Sequence, residues 1–139
     1  MPTFHEVAAA SVQARDRIRQ HLYQTPLIPA KKIGQDLDAN VLFKAENFQL
    51  AGSFKLRGAM SKLSAYGQGQ LITASSGNHG IASALASQSL SKKLTIVLPE
   101  ILIPAKLNKI KAYGVDVILH GAETGLAEQH AQRLASSGT

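Results

Sequence analysis

From residue 41 onward, short apolar runs alternate with longer segments of helical period, and this alternation restricts the fold more than any other feature. Residues 41–44, 71–74, 94–98 and 115–119 read as strands. Residues 53–66, 78 to about 90, 104–113 and about 123–135 read as helices. In the first of these helices Leu56, Ala59, Met60 and Leu63 share one face, and Gly67 supplies a stop. Pro104 in a first turn and Gly114 past a last turn repeat the usual proline-first, glycine-last asymmetry. Strand–helix alternation implies right-handed crossovers and a parallel sheet. The expected class is therefore α/β: a three-layer open parallel sheet of about four strands flanked by helices. Ligands bind at the carboxyl ends of strands in such sheets, which directs attention to residues 45–54 and 75–78.

An N-terminal helix is expected to precede the sheet, from Thr3 to about Gln24. Thr3 and Glu6 make a capping box, and Val7, Ser11, Ala14, Ile18 and Leu22 form an apolar stripe. Thr25-Pro26-Leu27 ends it, because a residue before proline avoids the helical region. Residues 31–37 read as a short helix and 38–40 as a turn.

Composition narrows the function classes. The absence of Cys removes thiolate metal sites and cysteine nucleophiles. The net charge of +6 raises the question of nucleic acid, but the cations are scattered and aromatic residues make up only 5 % of the chain. A small anionic ligand fits better than nucleic acid. No signal peptide or membrane span is read, so a cytoplasmic protein is expected.

Two segments carry chemistry. In residues 51–59 a Gly-Ser turn leads into a helix whose first turn presents Lys55. A helix N-terminus disfavours a cation, and a lysine must shed its proton to attack an aldehyde. Taken alone, this segment is better explained as a solvated lysine on an amphipathic helix. In Ser75-Ser76-Gly77-Asn78-His79-Gly80, two hydroxyls and glycine freedom at a helix start make a cradle for a carboxylate or phosphate. A well-capped βα turn is the equal alternative. His79 lacks a second ligand at metal spacing, so no metal site is expected. No Gly-x-Ser-x-Gly elbow or Walker sequence is present.

Together the two segments resemble the fold-type II pyridoxal-phosphate (PLP) enzymes, especially the threonine/serine dehydratase and serine racemase group. Residues 44–49 followed by Gly52-Ser53-Phe54-Lys55-Leu56-Arg57-Gly58-Ala59 are similar to that family's cofactor-lysine signature, and residues 75–80 to its substrate loop. Thr25-Pro26-Leu27, Pro99, Pro104, Lys106 and residues 112–117 also match its layout. The resemblance implies that Lys55 holds PLP as a Schiff base and then serves as general base at the substrate Cα. It implies that Phe54 packs beside the pyridine ring and that Asn78 bonds the cofactor's phenolic oxygen. Ser75, Ser76, Gly77, Asn78 and His79 surround the substrate carboxylate, and Ser76 is the second acid/base in the racemases of the group. The implied reaction is β-elimination of a hydroxy amino acid to a 2-oxo acid and ammonia. The alternatives are serine racemisation or a non-catalytic truncated remnant.

The family pattern also includes a glycine-rich phosphate loop in a second lobe, which residues 67–69 and 121–125 do not reproduce. The expected organisation is an N-terminal helical segment over residues 1–40 belonging to the large lobe, and a small α/β lobe over residues 41–139. The isolated chain is expected to be weakly active or inactive, and the full-length form a homo-oligomer acting on a small amino acid, away from membranes and nucleic acid.

Overall fold

The computed structural model describes residues 1–137. Helix α1 (Phe4–Ile18) opens with the expected capping box: the Thr3 side chain accepts from the Glu6 amide while the Glu6 carboxylate accepts from the Thr3 amide. It runs into a 3₁₀ turn, Arg19–His21, rather than continuing to Gln24. Of its apolar stripe only Ile18 is buried, with Leu22 packed beside it, and Val7 stays half exposed. Strand β1 (Leu27–Pro29) follows, where only a helix end was expected. Residues 31–37 form no α-helix. They hold a single 3₁₀ turn, Gln35–Leu37, between Gly34 and Asp38, both at positive φ.

Strand β2 (Leu42–Lys44) corrects the expected four-stranded parallel sheet. It pairs antiparallel with β1, with Ile28 opposite Phe43, in a separate two-stranded ribbon. The physical reason lies in the connection. The connection at residues 30–41 holds only one 3₁₀ turn and lacks the α-helix that usually carries a parallel crossover, so the chain turns back antiparallel on Leu27–Pro29.

The remainder is the expected parallel unit. Helix α2 (Lys55–Ala65) leads to β3 (Gln70–Ala74), α3 (Asn78–Ser89), β4 (Lys93–Leu98), α4 (Pro104–Lys111), β5 (Asp116–Leu119) and α5 (Thr124–Ser136). The strand order is β3-β4-β5, all parallel. Period-two alternation divides the central strand between two cores. Leu94, Ile96 and Leu98 join Ile81, Ala84, Ile110, Leu56 and Met60 on one side, while Val97 meets Ala127 and Ala131 of α5 on the other. Both faces of β4 are thus apolar, as parallel strands covered on both sides require. Behind α3 lies α2, and behind α2 lies α1. The small residues of α3, among them Ala82, Ser83, Ala84, Ala86 and Ser87, are buried and admit this close helix stacking.

No helix among the described residues is long and apolar enough to cross a membrane.

Candidate functional site

The chain reaches Lys55 through a turn that is held in place from below. After β2, Ala45 is buried and its amide donates to the Pro26 carbonyl at 3.0 Å. Glu46 follows, and Arg57 grips its carboxylate with two hydrogen bonds, Nε to Oε2 at 2.8 Å and Nη2 to Oε1 at 2.7 Å. Thr25 Oγ1 donates to the same carboxylate. Gln49, almost fully buried, accepts from the Tyr23 amide and donates to the Tyr23 carbonyl, each at 3.0 Å. Gly52 then turns at φ 73°. Helix α2 begins on Lys55 itself, with no side-chain cap on its first turn. The Thr-Pro-Leu segment, the Glu46 turn and α2 are therefore one clamped unit.

This network went unread in the sequence. Its only sequence-level trace is a Glu and an Arg flanking a Gly-Ser turn, a pattern with many surface explanations. Because β2 is not part of the parallel sheet, the loop at residues 45–54 gains its position from this clamp and not from a sheet edge. Only the loop at 75–78 follows a strand of the parallel sheet.

The clamp has a pH consequence. The Arg57 guanidinium, aided by the Thr25 hydroxyl, holds the Glu46 carboxyl below its ordinary value against a modest desolvation penalty. A carboxyl whose folded value is depressed stabilises the fold above its unfolded value of about 4.3, and that contribution disappears as pH falls through the lowered folded value. Arg57 is 39 % exposed, so solvent screening keeps the pair's worth to about 1 kcal/mol. Glu46→Gln is expected to cost about that much at pH 7 and less at an acidic pH below the lowered folded value, where the carboxyl is protonated in both states. Urea titrations of both proteins at the two pH values check it: an equal deficit at both would show that the Glu46 charge is immaterial.

The Lys55 side chain is exposed, makes no hydrogen bond or ion pair among the described residues, and lies with Nζ 5.0 Å from the centre of the Phe54 ring. Phe54 is itself 60 % exposed. Across from it stands the start of α3. Gly77 is its N-cap, no side chain caps the first turn, and the Gly77 amide donates to Ser75 Oγ at 3.3 Å. Ser75, Ser76 and Gly77 are half-buried, whereas Asn78 and His79 are exposed. The Ser76 hydroxyl and the Asn78 amide have no hydrogen-bond partner among the described residues. His79 Nε2 lies 3.3 Å from Thr73 Oγ1. Partial enclosure lowers the His79 pKa, and the charge of Lys55 lowers it further. The charge of Lys55 is thus felt at His79, and α2 packs directly on α3.

Gly80 fixes that loop. A Cβ there would lie 2.1 Å from the Ser75 carbonyl oxygen, with Ile110 Cδ1 at 3.4 Å behind. The glycine lets the first turn of α3 fold back onto the strand end that precedes it. Sequence reading placed Gly80 in the motif without identifying this close approach.

A groove lies elsewhere on the chain. It is about 860 Å³ in volume and runs between α1 and α2, lined in part by Arg15, Arg19, Tyr23, Lys44 and Arg57. Of Phe54, Lys55, Ser75, Ser76, Gly77, Asn78 and His79, none lines it.

Comparison with known proteins shows the family. The family model described as pyridoxal-phosphate dependent enzyme matches residues 18–139. The chain belongs to the pyridoxal-phosphate dependent enzyme family. A serine racemase of Schizosaccharomyces pombe is 37% identical over 124 residues, covering 86% of this chain and 37% of the relative. An L-threo-3-hydroxyaspartate ammonia-lyase of Saccharomyces cerevisiae is 37% identical over 140 residues, covering 98% and 42% respectively. The processed form of threonine deaminase isoform 2 from Solanum lycopersicum superposes with a TM-score of 0.85 at 32% identity, covering 99% of this chain and 39% of that one. The chain therefore spans about two fifths of the length of the curated relatives it matches.

The family's cofactor, pyridoxal phosphate, is a flat aromatic aldehyde with an anionic phosphate, and the residues present fit most of it. The Lys55 amine has no hydrogen-bond or ion-pair partner among the described residues, Phe54 presents a ring beside it, and the first turn of α3 offers amides without a side-chain cap. Ser53 Oγ is buried with no hydrogen-bond partner, a polar atom that a bound ligand would satisfy.

Proposed function

We propose that this chain carries the lysine-bearing half of a threonine/serine dehydratase site, in which a hydroxy amino acid loses water and is released as a 2-oxo acid and ammonia. The observation that carries the reading is the pairing of two helix starts: Lys55 opens α2, and its charge reaches His79 in the uncapped first turn of α3. The amine needed to hold an aldehyde and the donors needed to hold a carboxylate then lie together. When bound, pyridoxal phosphate withdraws electrons from the substrate Cα and makes its proton acidic.

The chain's own residues do the rest. Lys55 would hold the cofactor, and its Nζ is the base placed to take the Cα proton. Ser75, Ser76, Gly77, Asn78 and His79 bind the substrate carboxylate through backbone amides and hydroxyls at the positive end of α3. Asn78, with its amide unpartnered among the described residues, and Phe54 would help to hold the cofactor ring. A His79 with a lowered pKa is neutral near pH 7, so it can hydrogen-bond without adding a charge beside Lys55.

A racemase reading keeps one observation in its favour. The Ser76 hydroxyl is half-buried and without a hydrogen-bond partner among the described residues, which leaves it free to carry a proton on the other face of the substrate. Supplied with pyridoxal phosphate and L-threonine or L-serine, the protein is expected to form 2-oxo acid slowly, with ammonia in equal amount. D-serine in excess over 2-oxo acid would replace the dehydratase reading with the racemase one. Neither product, with no cofactor on Lys55, would leave a non-catalytic lobe.

A further inference from the structure

Lys55 and Arg57 leave the first turn of α2 in opposite directions. Residues two apart on a helix lie about 200° apart around its axis. Lys55 faces the α3 side, where its charge reaches His79. Arg57 faces the α1 side, where it lines the groove between α1 and α2. Leu56, between them, is fully buried. The turn is thus held from behind while it presents its lysine in front.

That turn needs such a hold. It has no side-chain cap, and it follows Gly52, which sits at positive φ. A first turn without a cap leaves its amides open, and helix ends fray. Here the closure comes from the Arg57 side chain. Its fork meets the Glu46 carboxylate in two bonds, a geometry that fixes orientation as well as distance. Glu46 is itself held, because Thr25 Oγ1 donates to it and the Ala45 amide before it donates to the Pro26 carbonyl. The Arg57 amide donates to the Phe54 carbonyl at 3.1 Å, so Phe54 and Lys55 both ride on the residue that the clamp holds. Lys44, two residues before Glu46, donates to the Thr25 carbonyl and is tied to the clamp, whereas the Lys55 amine has no such bond among the described residues.

We propose that Glu46 and Arg57 are positioning residues for Lys55: their bidentate contact fixes the first turn of α2 and so aims the amine toward the α3 side. Loss of the contact slows capture of an aldehyde by Lys55 and by no other lysine. The inference rests on the reading of Lys55 as the cofactor lysine. Neither Glu46 nor Arg57 takes part in the chemistry; both act through the backbone that carries Lys55.

Lys62 provides an internal reference. It lies seven residues further along α2, on the same face about two turns away. It is also exposed, with Nζ 4.9 Å from the centre of the Tyr66 ring, much as Lys55 stands 5.0 Å from that of Phe54. The chain and its Arg57→Lys and Glu46→Gln variants are incubated with pyridoxal phosphate for graded times at pH 7, reduced with borohydride and mapped by peptide mass. Arg57→Lys keeps the charge and loses the fork, while Glu46→Gln keeps the shape and loses the charge. In both, the initial rate of labelling at Lys55 relative to Lys62 is expected to fall by about 10-fold, the scale of a small misplacement of a reacting group. Amide exchange at residue 57 should rise by about 10-fold, while exchange at Leu63 stays unchanged. A merely structural role would speed exchange along the whole helix and change both lysines together, and that result would overturn the proposal. A ratio of Lys55 to Lys62 labelling that matches the unaltered chain in both variants would overturn it too. An unaltered chain that labels Lys55 no faster than Lys62 gives a different pattern, which would overturn the reading of Lys55 and this proposal with it.

Discussion

Gly80→Ala is expected to collapse the geometry of the 75–79 loop and to destabilise the whole α/β unit by about 3 kcal/mol or more. The added Cβ would sit 2.1 Å from the Ser75 carbonyl oxygen, well inside van der Waals contact, and that oxygen belongs to backbone that cannot rotate away. The Cδ1 of fully buried Ile110, 3.4 Å from the same Cβ position, bounds it as well. Alanine elsewhere in a helix is favourable relative to glycine by up to about 1 kcal/mol, so the helix term opposes the clash without cancelling it. Gly58, in α2, has open space where its Cβ would go. Gly58→Ala should therefore be neutral or mildly stabilising, and it is the matched control. Chemical denaturation of the two variants checks the pair: a Gly80→Ala protein as stable as the Gly58→Ala protein would contradict the close approach.

The second large effect falls on chemistry. Lys55→Ala is expected to lower 2-oxo acid formation from L-threonine by about 10³-fold, within the range that loss of a positioned general base produces. Stability should hardly move. Lys55 is exposed and has no hydrogen bond among the described residues, and its contact with the Phe54 ring at 5.0 Å is worth about 0.5 kcal/mol at an exposed site. Lys62, on the same helix and similarly placed 4.9 Å from the centre of the Tyr66 ring, is the control. Lys62→Ala should leave product formation unchanged. Activity assays and thermal melts on the two variants separate a chemical role from a structural one, since comparable losses from both lysines would mean that neither is special.

The parallel unit was legible because its signals are local and agree with one another. Leu94–Leu98 is apolar on both faces, Pro104 and Gly114 bracket α4, and Thr3 with Glu6 caps α1. Each states its own element without reference to distant residues. What could not be read depends on partners far apart in sequence. Residues 41–44 look the same whether they join a parallel sheet or turn back on Leu27–Pro29, and only the position of the Thr-Pro-Leu segment decides. The N-terminal stripe overstated burial for a related reason. Val7 has the helical period of a core residue, but α2 meets α1 near Ile18 and leaves the first turns without cover. At the site, the identities of Lys55 and of the 75–80 loop were recognisable as a family pattern, while their mutual placement was not. That placement comes from the bidentate Arg57–Glu46 contact, the paired Gln49–Tyr23 bonds and the absence of a Cβ at Gly80, all of which are tertiary facts.

The central claim is that Lys55 is the cofactor lysine. The protein incubated with saturating pyridoxal phosphate, reduced with borohydride and digested gives the direct measurement, because reduction fixes the cofactor to whichever amine holds it. The pyridoxyl mass is expected on the peptide containing Lys55, and its recovery should vanish in Lys55→Ala. Recovery mainly on Lys44, Lys62 or another lysine, or an equal spread over surface lysines that persists in Lys55→Ala, would contradict the assignment.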